Sequence, residues 1–260
     1  MPPSATPAAK GTLCLTFDNM GRAMEIARGK ASTPDDNEPG FAVGYPRLLG
    51  LLDSLGLHGT FFIEGWNALH HADRILDLVK RGHEVGLHGW IHEDFAALDR
   101  LRAEQYLHDG AAAMNRIGVR PSGFRAPGGY RGEHTIDILR TLGFRYDSST
   151  DADERSTRPG LLAPGLAHIP WRPEMVDSIQ YLRHPVRPRT PLELEAMWKG
   201  ALDSLQDGAI TLVIHAFVSG VDDQRFAVVR RVLSHALELG MEVTTAGALA
   251  ERVLTQGRNS

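Results

Sequence analysis

Short apolar runs, each closing on a turn or polar residue and most followed by a helical stretch, constrain this chain more than any other feature. Residues 12–17, 60–63, 84–87, 123–126, 144–147, 166–169, 210–215 and 241–244 read as strands, bounded by Gly, Asp, Asn or Pro. Between them, residues 46–55, 72–80, 98–117, 135–142, 191–205 and 223–239 carry helical spacing. Leu48, Leu49, Leu51, Leu52 and Leu55 make one apolar face, stopped by Gly56. Such alternation implies βα units and a parallel sheet. Eight strands with about seven helices suit a closed or nearly closed barrel better than an open sheet. At 260 residues the chain is long enough to bury one large core, so a single domain is expected over residues 11–260. Residues 1–10, rich in Pro and Ala, read as a flexible tail.

Composition narrows the function classes. The formal net charge of −4 is small and opposite charges are interspersed, which argues against a nucleic-acid groove, a membrane-surface patch or a polyanionic substrate. Cys14 is the only cysteine, so no internal disulfide forms, and its neighbours Leu13 and Leu15 make it a small core residue. The N-terminus lacks an apolar signal region and no stretch is long enough to span a bilayer, so a cytoplasmic address is expected. Residues 20–44 show little periodicity and crowd Gly, Pro and Asp together, as a loop that covers a pocket would. The basic stretch 183–189 reads as an exposed arm, with a clasp on a neighbouring subunit or a phosphate site as the alternatives, and His70 and His71 read as solvated surface.

Polar residues gather at one end of successive strands. Asp18 and Asn19 follow the first, His88 and His92 the third, Arg125 belongs to the fourth, Asp147 to the fifth and His215 to the seventh. In a parallel sheet all of these face the rim where α/β folds place their ligand sites. Imidazoles four positions apart can converge on one metal ion. A carboxylate can then act as base, an arginine can keep it ionised, and a separate histidine can act as acid.

Thr16-Phe17-Asp18-Asn19, His88-Gly-Trp-Ile-His92, Arg125-Ala-Pro-Gly-Gly129, Tyr146-Asp147-Ser148 and Leu212-Val-Ile-His215 together resemble the ordered motifs of the polysaccharide deacetylase (NodB homology) family. The form of the histidine motif, the long early loop and the stretch 214–220 are similar to its branch of cytoplasmic peptidoglycan deacetylase-like and allantoinase-like enzymes. The resemblance implies a distorted (β/α)7 barrel, hydrolysis of a C–N bond, and a divalent metal, zinc first with cobalt, nickel or manganese as alternatives. His88, His92 and an acidic residue of the first motif would hold that metal. Here the first motif departs from the family: Asp18 matches the base, while Asn19 stands where the acidic ligand is expected. An amide oxygen coordinates without charge, so weak metal binding through Asn19 is the first expectation. Ligation by Asp18 itself, or loss of the metal, follow in that order.

The resemblance further implies Asp18 as base, held ionised by Arg125, and His215 as the acid that protonates the leaving nitrogen. The backbone at Gly129 and Tyr130 would donate to the oxyanion, Asp147 would orient His215 or a loop, and Trp90, between the histidines, could stack on a sugar ring. The expected substrate is a small N-acylated amino sugar or related metabolite, acetyl first. Opening of a cyclic amide or ureide, deacetylation of peptidoglycan N-acetylglucosamine, and a non-catalytic sugar-binding barrel are the alternatives. No nucleic-acid or membrane partner is expected, and homo-oligomer formation stays open.

Overall fold

The computed structural model describes residues 11–151 and 158–257; the expected tail at 1–10 lies outside them. In chain order the strands are β1 (Thr12–Asp18), β2 (Thr60–Ile63), β3 (Glu84–Leu87), β4 (Gly123–Phe124), β5 (Tyr146–Asp147), β6 (Gly160–Ala163), β7 (Leu166–His168), β8 (Ala209–Ile214) and β9 (Glu242–Thr244). The helices are α1 (Ala23–Ala27), α2 (Tyr45–Leu55), α3 (Asn67–His70), α4 (Ala72–Lys80), α5 (Arg100–Arg116), α6 (Thr135–Thr141), α7 (Pro191–Ser204), α8 (Asp223–Glu238) and α9 (Ala246–Gln256).

One sheet runs β6-β7-β5-β4-β3-β2-β1-β8, parallel throughout except for the antiparallel β6–β7 pair, and β9 adds to the N-terminal half of β1. The sheet curls into the expected distorted barrel. Its seam, between β7 and β8, is spanned by the chain that follows β7. A single parallel bridge joins Val176 to Val213, and the Thr211 hydroxyl donates to the Pro170 carbonyl at 2.7 Å.

Strand periodicity divides the residues between two faces. Leu13, Leu15 and Phe17 of β1 join Phe61, Ile63 and Leu87 in the core beneath the helices. Cys14, Phe62, Tyr146, Ala167 and Ile169 form a second core, packed against Ala246, Leu249 and Ala250 of α9. Continuing that second stripe toward the strand C-termini gives Thr16 and Asp18 on β1, Glu64 after β2, His88 after β3 and His215 after β8. The fold therefore places polar groups at one mouth while apolar groups and α9 fill the other end.

Several expected boundaries shift. β4 and β5 keep only two residues each, and α9 and β6 lie where no element was expected. The stretch 20–44 is partly ordered, with α1 and a π-turn at Gly40–Gly44. His71 is buried rather than solvated, packed on Phe41 with ring centroids 4.6 Å apart and 3.3 Å from Asp36. The basic arm folds back on the protein: the Arg189 side chain donates to Gln180 at 2.7 Å and Arg187 pairs with Glu193. No helix among the described residues is long and apolar enough to cross a membrane.

Candidate active site

Asp18, the last residue of β1, is 7% exposed. Its Oδ1 accepts from Arg125 Nη1 at 2.6 Å. Arg125 is itself buried and spends its other donors on fixed acceptors: Thr16 Oγ1 at 2.9 Å, the Ser148 carbonyl at 3.1 Å and Ser148 Oγ at 2.8 Å. Its guanidinium also lies 4.3 Å over the Phe62 ring. Burial pushes the Asp18 carboxyl up, but Arg125, His88 and His215 together outweigh it and leave it below its usual value. Asp18 is thus an ionised carboxylate with its orientation fixed.

His88 follows β3 directly, and its Nδ1 lies 2.8 Å from the Arg125 carbonyl. A carbonyl can only accept, so Nδ1 carries the proton and Nε2 keeps its lone pair. Burial pulls the His88 ring down to about 4 and the His92 ring to about 3, so both are neutral donors at physiological pH. Their ring centroids are 5.4 Å apart. The turn between them is drawn tight by Glu93, whose carboxylate accepts from the Trp90 and Ile91 amides at 2.9 and 2.7 Å. Among the described residues only Asn19 (φ 64°) and His92 (φ 80°) are non-glycines in the left-handed region, and both sit here. Strain of this kind concentrates at functional sites, where surrounding contacts hold it in place.

His215 is aimed by Asp177, a residue the sequence reading missed. The Asp177 carboxylate lies 2.6 Å from His215 Nδ1, accepts from the His215 amide at 2.9 Å, and accepts from Ser219 Oγ at 2.6 Å. With Nδ1 committed there, Nε2 is the nitrogen left to exchange a proton. Orienting His215, one of the two roles expected of Asp147, therefore falls to Asp177. Asp147 is fully buried, its Oδ1 accepts from the Ser149 amide and hydroxyl, and it does not border the cleft.

A second missed carboxylate is Glu64, one residue beyond β2 and fully buried. It accepts from Asn19 Nδ2 at 2.8 Å, the Met20 amide at 3.1 Å and Asn67 Nδ2 at 2.9 Å. Burial pushes its carboxyl up to about 8. One oxygen of Glu64 and one ring nitrogen each of His88 and His92 lie within 4.8 Å of one another. A carboxylate with two imidazoles is a donor set suited to zinc and related divalent ions. Its sequence signal was the alternation Thr60, Phe62, Glu64, which puts the acid on the same inward stripe as Asp18. Asp177 had no such signal, because it lies in irregular chain well past β7.

Asp18, Asn19, His88, His92, Arg125 and His215 all line one cleft of about 220 Å³. Below the roughly 300–1,000 Å³ of sites for drug-sized ligands, it admits one small group. Met24 and Arg28 from the stretch 20–44 border it, so that stretch supplies a wall, and Arg183 of the basic arm borders it too. Gly129 lines it, but its amide already donates to the Ala126 carbonyl at 2.8 Å and is committed there. Trp90 and Tyr130 do not line it; its aromatic lining is Trp171 and Phe217, and a Cβ on Gly129 would collide with Trp171 at 2.1 Å.

The family model for polysaccharide deacetylases matches residues 5–146, more than half of the chain. The chain belongs to the polysaccharide deacetylase family. A peptidoglycan deacetylase-like protein of Gibberella zeae is 35% identical over 154 residues, which cover 56% of this chain and 45% of that protein. A peptidoglycan deacetylase of Helicobacter pylori is 34% identical over 125 residues, covering 46% and 43%. This polysaccharide deacetylase chain thus matches less than half the length of either relative. A solved structure from Mycobacterium smegmatis, titled as a polysaccharide deacetylase, superposes with a TM-score of 0.82 at 29% identity, covering 97% of this chain and 93% of that one.

Proposed function

We propose that this chain hydrolyses the N-acyl group, acetyl first, of an amino sugar or small related metabolite, with a divalent metal held at the mouth of the barrel. The observation that carries this reading is the pairing of two oppositely prepared groups around one histidine pair. Asp18 is kept ionised by Arg125, and His215 is kept with a free Nε2 by Asp177.

The donor set fits a metal: His88 and His92 are neutral, close together and present lone pairs, and an oxygen donor is at hand in the adjoining Asn19–Glu64 pair. When bound, such an ion polarises the acyl oxygen and makes a water more acidic. Asp18 takes the proton of the attacking water as its oxygen adds to the acyl carbon. Arg125 holds the Asp18 carboxylate in place and prevents its protonation in the resting site. His215 Nε2 delivers a proton to the departing nitrogen, which is too basic to leave as an anion, and Asp177 stabilises the imidazolium that precedes this transfer. Trp171 and Val213 border the cleft beside His215, and the substrate packs against them.

The test is acetate release from N-acetylglucosamine, short chitin oligomers and N-acetylated muropeptides by metal-loaded protein. Changing His215 to Ala should lower the rate by about 10²–10⁴-fold while zinc uptake is unchanged. Equal turnover by the variant, or no release from any N-acetylated sugar by the wild type, would refute the reading.

A further inference from the structure

We infer that Glu64, not Asn19, supplies the charged third protein ligand, and that Asn19 serves as the hydrogen-bonding support that holds Glu64 in position. The inference rests on the reading of His88 and His92 as a metal site, and it concerns residues from two different strands exchanging roles.

The chemistry of the Asn19–Glu64 contact dictates the direction. As a metal ligand Glu64 is ionised and only accepts hydrogen bonds, so the side-chain atom of Asn19 that meets its Oε1 at 2.8 Å is the NH₂ group. That amide is therefore committed as a donor to Glu64. A carboxylate at position 19 would instead set two like charges against each other in a buried space. Asn at 19 thus suits Glu at 64: beside Asp18 this corner takes one further acid, and it stands just past β2 rather than just past β1.

Glu64 has what a ligand in this place needs. Three N–H donors fix its orientation, and among the described residues no cation pairs with it. A fully buried carboxylate without a cation is costly, and a divalent ion on the adjoining imidazoles would compensate it. The backbone holds the acid against the histidines. The Gly65 amide donates to the Gly89 carbonyl at 2.9 Å and the Trp66 amide to the Trp90 carbonyl at 2.8 Å, which joins the turn after Glu64 to the turn carrying His88 and His92. Gly65 has to be glycine for this approach, since a Cβ there would lie 2.3 Å from the Gly110 Cα of α5.

Zinc titration of metal-free protein by calorimetry tests the assignment without any assay of hydrolysis. Glu64→Gln should weaken zinc binding by about 10-fold or more. Asn19→Asp alone should fail to tighten it and should lower the melting temperature of the metal-free protein. The exchanged pair, Asn19→Asp with Glu64→Gln, restores one acid and one amide and should recover most of the zinc affinity lost in the single Glu64 variant. Recovery also guards against the single variant having merely misfolded. Wild-type zinc affinity in Glu64→Gln, or a double variant no better than that single one, would overturn the inference. Zinc binding that survives His88→Ala would instead refute the histidine site on which it rests.

Discussion

Two aspartates end strands of the same sheet, Asp18 on β1 and Asp147 on β5, each beside an arginine, and they occupy different environments. Asp18 meets Arg125 at 2.6 Å and borders the cleft. Asp147 lies 3.4 Å from Arg131 Nε, is fully buried, and gives its Oδ1 to the Ser149 amide and hydroxyl. Ser149 Oγ in turn accepts from the Ala126 amide at 2.8 Å, so Asp147 braces the chain just past Arg125. The same residue type at the same rim thus faces a cleft in one place and holds a loop in the other. What separates them is the face presented to open space, which the motif does not reveal.

Breaking each pair should give opposite signatures. Asp18→Asn keeps an acceptor for Arg125 but removes the base, so the rate of acyl hydrolysis should fall by about 10²–10⁴-fold while thermal unfolding moves little. Asp147→Asn should leave the turnover of folded protein near wild type and cost about 1–3 kcal/mol of stability, read from urea unfolding. A large loss of kcat in the second variant would mean that the sealed aspartate reaches the substrate after all.

Arg125→Lys sharpens the comparison from the other partner. Acting as base, Asp18 would work while ionised, and its carboxyl is held below the usual value, so activity should persist below the usual carboxylate range and be lost only as pH falls through the lowered value. A single ammonium cannot reproduce the forked contacts to Asp18 and Ser148, so the carboxyl should rise. The acidic limb of the kcat/KM profile should then move to higher pH by about one unit. An unmoved limb would remove Arg125 from control of the base. The smallest effect belongs to Cys14, on the inward stripe below Asp18. It is fully buried and burial pushes its thiol up to about 12, so a thiol reagent should leave it unlabelled until denaturant is added.

What was legible in the chain followed from periodicity. The strands at 60–63 and 84–87 and the helix at 72–80 emerge with the expected limits, because apolar runs and amphipathic spacing coincide with burial there. α9 was missed although Ala246, Leu249, Ala250, Val253 and Leu254 fall on one buried face at helical spacing. Its start is written in Thr245, whose side chain accepts from the Ala248 amide. Among site residues, Asp18, Arg125, His88, His92 and His215 converge as their strand-end positions suggested. Trp90 and Tyr130 do not line the cleft, because adjacency in sequence to a site residue says nothing about the side of a turn a ring takes. Glu64 and Asp177 escaped notice because their importance lies in partners 45 and 38 positions away, Asn19 and His215.

The single bridge between Val176 and Val213 has a mechanical consequence. Asp177 comes one residue after that stitch and His215 two residues beyond its partner, so the contact that orients His215 reaches across the seam. Glu64 and His88 instead follow β2 and β3, which pair directly along four residues. Opening of the barrel at its seam would therefore separate Asp177 from His215 while Glu64 and His88 stay side by side.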